Sequence, residues 1–266
     1  MSLKATQEIA QYFKFQSLTQ EQIKLYEMQG YLAISQILTE KGLTLARKQC
    51  MRAWNAQKQG YDAKATWLKN ALLTNIHHQA AIVRDYYFRG PLVDVAEQLI
   101  GPNVKGATSQ LTFKMRGNTK PFAWHQDNGY GELDPYNAIT TLTALDDADE
   151  QNGCLWLLPA SHLEGQVKIR YNTDTISQSK VIELEVDESR AIPMPMKAGD
   201  SLVFNCWMLH KSDGNYAKDR DRRILFLRYA DADAVEVYNN NQPRLGRLLR
   251  GKTRYEEVRN FEQELD

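Results

Sequence analysis

Apolar residues at helical spacing dominate the first hundred positions of the chain. In residues 19–56 they recur at mixed helical spacing, broken at Gly30 and Gly42, which predicts two helices with a short extended piece between them. The run opens with Thr-Gln-Glu-Gln, the pattern of a helix N-cap and its first turn. A further amphipathic stretch covers residues 73–100, and a Gly-Pro pair ends it. Residues 1–101 are therefore expected to be mainly helical.

After residue 102 the pattern changes to short runs with strand character, separated by Gly, Asn, Asp and Pro. The runs lie at 104–115, 138–145, 155–158, 180–186, 201–207 and 223–229. Many short strands in one half of a chain predict a sandwich or barrel. We expect one α+β domain over residues 1–266, with the helices packed on one face of a β-barrel core at about 102–235. The tail from residue 236 is rich in Arg and Glu, and 242–266 is expected to form a partly exposed helix.

Composition and charge narrow the function classes. Of the 266 residues 42% are hydrophobic and 25% charged, and 33 basic residues balance 33 acidic ones. This balance argues against nucleic acid and against a polybasic membrane-surface protein, so electrostatics indicates no bulk partner. Cys50, Cys154 and Cys206 are far apart and form no disulfide or zinc pattern, which favours a reducing, cytoplasmic location. A transmembrane helix is not predicted, because no run of about 18 apolar residues occurs.

A histidine and a carboxylate two residues apart form the first candidate site. His125 and Asp127 occur as His-Gln-Asp, and on an extended chain such side chains point the same way. His210 follows the apolar run 201–209, where a strand would deliver it to a barrel mouth. Two neutral imidazoles and one carboxylate on one face suit non-haem Fe(II) and leave positions open for a co-substrate and dioxygen. The alternative for a lone His-x-Asp is a turn in which the aspartate accepts backbone N–H bonds.

Two adjacent arginines strengthen the metal hypothesis. Arg222 and Arg223 open the strand Arg-Arg-Ile-Leu-Phe-Leu-Arg-Tyr, twelve residues after His210. An arginine buried there needs a compensating anion. Its planar guanidinium can bind the distal carboxylate of 2-oxoglutarate while the keto-acid end of that molecule chelates iron. The alternative is that these arginines are solvated charges at a strand end.

Several segments together resemble the phytanoyl-CoA dioxygenase family over about residues 20–235. They are Trp-His-Gln-Asp-Asn at 124–128, Asn-Gly-Cys-Leu-Trp-Leu-Leu-Pro-Ala-Ser-His at 152–162, Ala-Gly-Asp-Ser-Leu-Val-Phe at 198–204, His210 and the Arg-Arg strand. The resemblance implies a double-stranded β-helix and an oxygenase that uses Fe(II), 2-oxoglutarate and dioxygen. It implies that His125, Asp127 and His210 hold the iron. Arg222 would anchor 2-oxoglutarate, although family members usually place this arginine eleven residues after the distal histidine, which leaves Arg223 as a substitute.

The resemblance also singles out the strand before the His-x-Asp segment. Gln110, Thr112 and Lys114 alternate along it. In the family this strand often faces the co-substrate, so each of the three is a candidate for binding the 2-oxoglutarate carboxylates.

Hydroxylation with release of succinate and CO2 is the reaction that the resemblance implies. Related halogenases keep both histidines but replace the carboxylate by a small residue, so Asp127 favours hydroxylation over chlorination. Desaturation, epoxidation and ring closure use the same ligands and stay open. A rival hypothesis is a catalytically idle barrel that binds a small anionic metabolite as a sensor. Another is a zinc hydrolase, which leaves the arginine unexplained.

Three loops, at 128–137, 169–179 and 230–241, are expected to form the walls of the substrate pocket. Their polar residues favour a small, hydrogen-bonding substrate, such as a polar metabolite or a natural-product intermediate. The 169–179 loop has no sustained helical or strand period. We therefore expect it to be a lid that is mobile without iron and co-substrate and becomes ordered when substrate binds.

Overall fold

The computed structural model describes residues 8–57, 71–129, 133–167, 170–173, 180–184 and 186–265, with the backbone alone at 170–173 and 180–183. Its helices are α1 (Gln20–Gln29), α2 (Glu40–Gln57), α3 (Ala81–Arg89), α4 (Pro91–Ile100) and α5 (Glu256–Asn260). Its strands are β1 (Tyr31–Ile34), β2 (Leu72–Thr74), β3 (Val104–Lys114), β4 (Phe122–His125), β5 (Leu133–Asp134), β6 (Ala138–Ala144), β7 (Leu155–Leu157), β8 (Arg170–Thr173), β9 (Lys180–Glu183), β10 (Ile192–Met194), β11 (Ser201–Asn205), β12 (His210–Ser212), β13 (Arg222–Asp231), β14 (Val235–Glu236), β15 (Gln242–Pro243) and β16 (Leu248–Arg250).

The helices begin and end largely where the sequence predicts. Thr19 caps α1 through a reciprocal capping box with Gln22, and Gly30 ends it at a φ of 86°. Gly42 was expected to break the next helix, but it lies inside α2, where a Cβ atom would meet the Tyr12 carbonyl oxygen at 2.1 Å. The glycine at this position lets α2 pack closely against the backbone of Tyr12.

The amphipathic stretch at 73–100 is less regular than predicted. Its beginning is strand β2, which pairs antiparallel with β3, and the rest is divided into α3 and α4 at Gly90. Helix α4 ends at Ile100 as expected. Among the described residues, no helix is both long and apolar enough to cross a membrane.

The second part of the chain forms two antiparallel sheets facing each other. The major sheet has the order β1-β11-β6-β13-β3-β16, with β2 also paired to β3, and the minor sheet has the order β10-β7-β12-β4. The chain alternates between the sheets, since β3, β6, β11 and β13 lie in the major sheet and β4, β7, β10 and β12 in the minor one. This is a double-stranded β-helix, and the predicted α+β class is confirmed.

Strand β13 separates the two hydrophobic cores. Leu225, Leu227 and Tyr229 point outward into the larger core, which the N-terminal helices cover. Ile224 points inward and packs with residues such as Phe204 between the two sheets. Because side chains alternate along a strand, Arg222, Phe226 and Arg228 share the inward face.

Two expectations about the later part of the chain need correction. The tail is not a single exposed helix: β15 and β16 precede the five-residue α5, and β16 pairs with β3. Val258 in α5 is fully buried. The loop expected at 169–179 contains strand β8, which pairs with β9. The remainder of that proposed lid lies outside the described residues.

Candidate metal centre and co-substrate site

The two histidines face each other across neighbouring strands of the minor sheet. His125 ends β4 and His210 begins β12, and the two are register partners. Each ring donates its Nδ1 hydrogen to the carbonyl two residues earlier, His125 to Ala123 at 2.7 Å and His210 to Met208 at 2.9 Å. These bonds fix the neutral tautomer whose lone pair is on Nε2, the atom that binds a metal. Sequence analysis expected His210 directly after one long strand, whereas a turn separates it from β11.

Asp127 completes the cluster from a 3-10 turn directly after β4. Its Oδ1 lies 3.9 Å from His125 Nε2 and 3.7 Å from His210 Nε2. The Thr140 hydroxyl on β6 donates to Asp127 Oδ2 and so orients the carboxylate. Simple alternation along a strand, which was the basis of the prediction, is not how the structure brings His125 and Asp127 together, because the chain leaves the strand between them.

Burial and charge give His125 and Asp127 the protonation states that a metal needs. Burial, together with the neighbouring His210, lowers the pKa of His125 to about 4. For Asp127, burial raises the pKa, but His210, Arg228, His125 and the Thr140 hydrogen bond outweigh it and lower the pKa. At neutral pH His125 is therefore neutral and the carboxylate is ionised. Two imidazole nitrogens and one carboxylate oxygen that converge in this way fit a divalent iron ion and leave one side of it open.

Arg222 is buried in the barrel, and no carboxylate of the described residues neutralises it. It is 3% exposed, and it donates from Nε to the Gly153 carbonyl at 2.9 Å and from Nη2 to the Ser212 hydroxyl at 2.9 Å. Burial lowers its pKa to about 10. No carboxylate among the described residues pairs with it, so this guanidinium is able to bind an anion.

Arg223 has a different environment on the other face of the same strand. Its Nε and Nη2 bind the two oxygens of Asp146 at 2.7 and 2.6 Å. This bidentate pair leaves its charge compensated. The geometry therefore favours Arg222 over Arg223 as an anchor.

Lys114 is the register partner of Arg222 and is equally buried. Its Nζ donates to the Ser212 carbonyl at 2.8 Å, to the Ser212 hydroxyl at 2.6 Å and to the Asp213 carbonyl. Burial, together with Arg222, lowers the pKa of Lys114 to about 6. Two buried basic groups thus converge on Ser212, and this serine is two residues from His210 on the same strand.

Gln110 and Thr112 lie on the face of β3 that carries Lys114. Thr112 donates its hydroxyl to the Ile224 carbonyl at 3.2 Å, which commits it to the sheet. Gln110 is half-buried opposite Phe226. The structure thus places Lys114 beside Arg222. Thr112 lies farther from Arg222 along the strand, and Gln110 lies farther still.

Sequence reasoning missed several polar residues that contact the site, namely Asn128, Thr140, Ser212 and Arg228. The sequence held a signal for two of them. Ser212 is an even number of residues from His210, and Arg228 is an even number from Arg222, so each pair is expected on one face of its strand. Thr140 gave no local signal, because its contact with Asp127 depends on how β6 packs against the turn after β4.

A double-stranded β-helix with this His, Asp and His donor set defines the class of non-haem, Fe(II)- and 2-oxoglutarate-dependent oxygenases, and the chain is an enzyme of that class. A sequence model of the phytanoyl-CoA dioxygenase (PhyH) family matches residues 26–224, and the chain belongs to this family.

Individual relatives agree with this assignment. The chain is 27% identical to a methylphosphonate hydroxylase of Gimesia maris over 84% of this chain and 85% of the relative. It is 25% identical to a 2-aminoethylphosphonate dioxygenase of an uncultured bacterium, over 79% and 81% of the two chains. The crystal structure of a non-haem, α-ketoglutarate-dependent carbocyclase, SnoK from nogalamycin biosynthesis, superposes with a TM-score of 0.67 at 20% identity and covers 90% of this chain and 97% of its own.

Proposed function

We propose that His125, Asp127 and His210 hold Fe(II), and that Arg222, Lys114 and Ser212 bind the distal carboxylate of 2-oxoglutarate. The observation that carries the proposal is the buried pair Arg222 and Lys114. Both donate to the Ser212 hydroxyl, and neither has a carboxylate partner among the described residues. A carboxylate at this point would compensate the buried charge, and the keto-acid end of the same molecule would extend along β12 towards His210.

The residues of this chain position the reactants. When bound, Fe(II) supplies the activation of dioxygen, with 2-oxoglutarate as the two-electron reductant; one oxygen atom enters the substrate and the other enters succinate as CO2 leaves. Thr140 holds Asp127 in one orientation, and the two backbone carbonyls hold the imidazole rings. The hydrophobic residues around Phe204 and Leu157 keep the inner end of the barrel dry, which strengthens every charge interaction there.

The substrate that we propose is a small anionic metabolite of the phosphonate type. Two relatives are named for reactions of methylphosphonate and 2-aminoethylphosphonate. Arg228, half-buried on the inward face of β13, supports a substrate with a negative charge. We also propose a cytoplasmic location, which the three buried, unbridged cysteines support.

Succinate release tests this function directly. We expect the iron-loaded enzyme to convert 2-oxoglutarate to succinate faster when its substrate is present, and we would screen phosphonates first. Asp127→Ala removes the anionic ligand and should reduce both bound iron and succinate release at least about 100-fold. Asp147→Ala, which removes a carboxylate paired with the exposed Lys197, is the matched control and should keep both.

One result would replace the proposal with the sensor hypothesis. If the protein binds iron and 2-oxoglutarate tightly but releases no succinate with any candidate metabolite, it is a binding protein with this fold.

A further inference from the structure

Arg228 lies on the inward face of β13, six residues after Arg222, and neither the proposed iron site nor the proposed 2-oxoglutarate site uses it. Its register partner on β6 is Thr140, whose hydroxyl donates to Asp127. Directly opposite residues of antiparallel strands have their Cβ atoms about 5 Å apart. Arg228 therefore stands beside the proposed metal carboxylate, and its positive charge contributes to the lowered pKa of Asp127.

Arg228 and Asn128 form a hydrogen-bonded pair that leaves two donors without acceptors. Arg228 Nη2 donates to Asn128 Oδ1 at 3.0 Å, and the backbone N–H of Leu133 donates to the same oxygen at 3.1 Å. These two bonds fix the orientation of the amide. Arg228 Nε and Asn128 Nδ2 are both buried, and neither has a hydrogen-bond partner in the described part of the chain. Buried N–H groups of this kind are normally paired, so the described residues satisfy this pair only in part.

The charges around Arg228 also indicate that an anion binds there. Ferrous iron, Asp127 and a 2-oxoglutarate dianion together carry one negative charge, which the Arg222 guanidinium balances. Arg228 then remains an uncompensated cation, and any proton on Lys114 adds further positive charge. The nearby Arg244 is different, because Glu236 binds it at 2.7 Å. Among the described side chains, Arg228 is therefore the cation of this region that lacks a counter-ion in the loaded site.

The barrel is more open on the side of Arg228 than on the side of Arg222. Arg228, Phe226 and Gln110 all face the interior from central strands, yet each is only half-buried. Lys114 and Arg222, on the same faces of the same strands, are 1% and 3% exposed. The barrel thus has a closed end, where Arg222 and Lys114 lie, and a more open end, where Arg228 lies.

We infer that the guanidinium of Arg228, held in place by Asn128, binds an anionic group of the primary substrate. This inference rests on the proposed function, because it places the substrate beside the metal carboxylate. The chemistry that these donors recognise is a small organic oxyanion, which both phosphonates and carboxylates provide. An uncharged substrate of the same size would leave the positive charge of Arg228 without a counter-ion.

Calorimetry on the Mn(II)- and 2-oxoglutarate-loaded enzyme tests the inference without turnover, since Mn(II) is a redox-inert substitute for iron here. The probes are matched pairs, methylphosphonate with acetate and 2-aminoethylphosphonate with β-alanine, and acetamide is the uncharged control. We expect at least one anion to bind and acetamide not to bind. Binding by both members of a pair shows a general oxyanion site, and binding by one member identifies the phosphonate or the carboxylate as the substrate group.

Arg228→Gln should weaken binding of that anion at least about tenfold and leave 2-oxoglutarate binding unchanged. Arg228→Lys keeps the charge but loses the planar guanidinium, so an intermediate loss is expected, and its 2-oxoglutarate affinity reports correct folding. Arg244→Gln is the matched control and should change anion binding less than about twofold.

The outcomes separate the inference from the function on which it rests. A wild-type protein that fails to bind Mn(II) and 2-oxoglutarate overturns the proposed function and the inference together. A wild-type protein that binds both but none of the anions overturns the inference alone. The inference also fails if Arg228→Gln loses Mn(II) affinity while its loaded fraction binds the anion as tightly as the wild type, because Arg228 would then be a positioning residue for Asp127.

Discussion

Arg222 and Arg223 are neighbours in the chain, but strand alternation sends their side chains to opposite faces of the major sheet. Truncating a buried cation that binds an anion costs about 2–5 kcal/mol, so Arg222→Ala should raise the dissociation constant for 2-oxoglutarate at least about 30-fold. Arg223→Ala removes a pair with Asp146 and should lower stability while changing this constant less than about threefold. Titration of 2-oxoglutarate into both variants measures the two effects. A larger loss of affinity in Arg223→Ala would place the anchor on the other face.

Lys114 makes the binding of 2-oxoglutarate dependent on pH. Its pKa is lowered to about 6 by burial and by Arg222, so above that pH the amine is neutral in the free folded protein. A carboxylate beside it favours the ammonium form, so binding at about pH 7.5 should take up close to one proton, and affinity should fall as the pH rises above about 6. Below about pH 6 the amine already holds its proton and uptake should vanish.

Calorimetry in buffers of different ionisation enthalpy counts these protons. Lys114→Met should bind 2-oxoglutarate more weakly and without proton uptake. Equal uptake in the variant and the wild type would assign the proton to another group.

At the scale of single residues, the spacing together with the family resemblance was sufficient to propose the metal ligands but not the groups around them. His125, Asp127 and His210 carry a recognisable pattern of types and distances. Thr140 and Asn128 do not, because a threonine or an asparagine has a role only once the strand register places it beside a partner. The choice between Arg222 and Arg223 needed the same information, since a shift of one residue reverses which of them faces the barrel.

The alternation of β13 predicts different effects for adjacent substitutions. Leu225 faces the helices and is 1% exposed, so Leu225→Ala should lower the free energy of unfolding by about 2–5 kcal/mol with little change in 2-oxoglutarate affinity. Phe226 faces the half-open barrel, so Phe226→Ala should cost less stability and weaken binding of the primary substrate. Denaturant unfolding and ligand titration separate the two effects. Similar changes in both variants would mean that β13 does not divide the core from the pocket.

At the scale of elements, long segments were predicted better than short ones. The runs that became β3, β6 and β13 have 7 to 11 residues, enough to show strand character. Strands β4 and β12 have 4 and 3 residues, too few to show a period, although both carry metal-ligand candidates. The prediction of a helical tail was wrong for another reason. Strand β16 forms because it can pair with the edge of β3, and this pairing is a tertiary interaction.

At the scale of the whole molecule, one hydrophobic core joins the first and last parts of the chain. It runs from Phe13 and α3 through the outward face of β13, and Leu249 and Leu265 near the C-terminus pack against it. Glu262 binds both His77 and His78, at 3.1 and 2.7 Å, and accepts from Arg247 through its backbone carbonyl at 2.8 Å. We therefore propose that the helices, barrel and tail form a single domain, because none of them covers its apolar face alone.

This continuity predicts one cooperative unfolding transition for the whole chain. Calorimetric and van't Hoff enthalpies should agree, and circular dichroism of the helices should follow the same curve as fluorescence of the barrel tryptophans. Deleting the chain from Leu248 onward removes β16 and the buried Val258, so it should lower the melting temperature by roughly 10 °C or more while the transition stays single. Removing only residue 266 is the control, and it should have a much smaller effect because β16, α5 and Leu265 remain. Two separate transitions in the full chain would instead show that the helical layer and the barrel are independent folding units, and the tail would then stabilise only the one it touches.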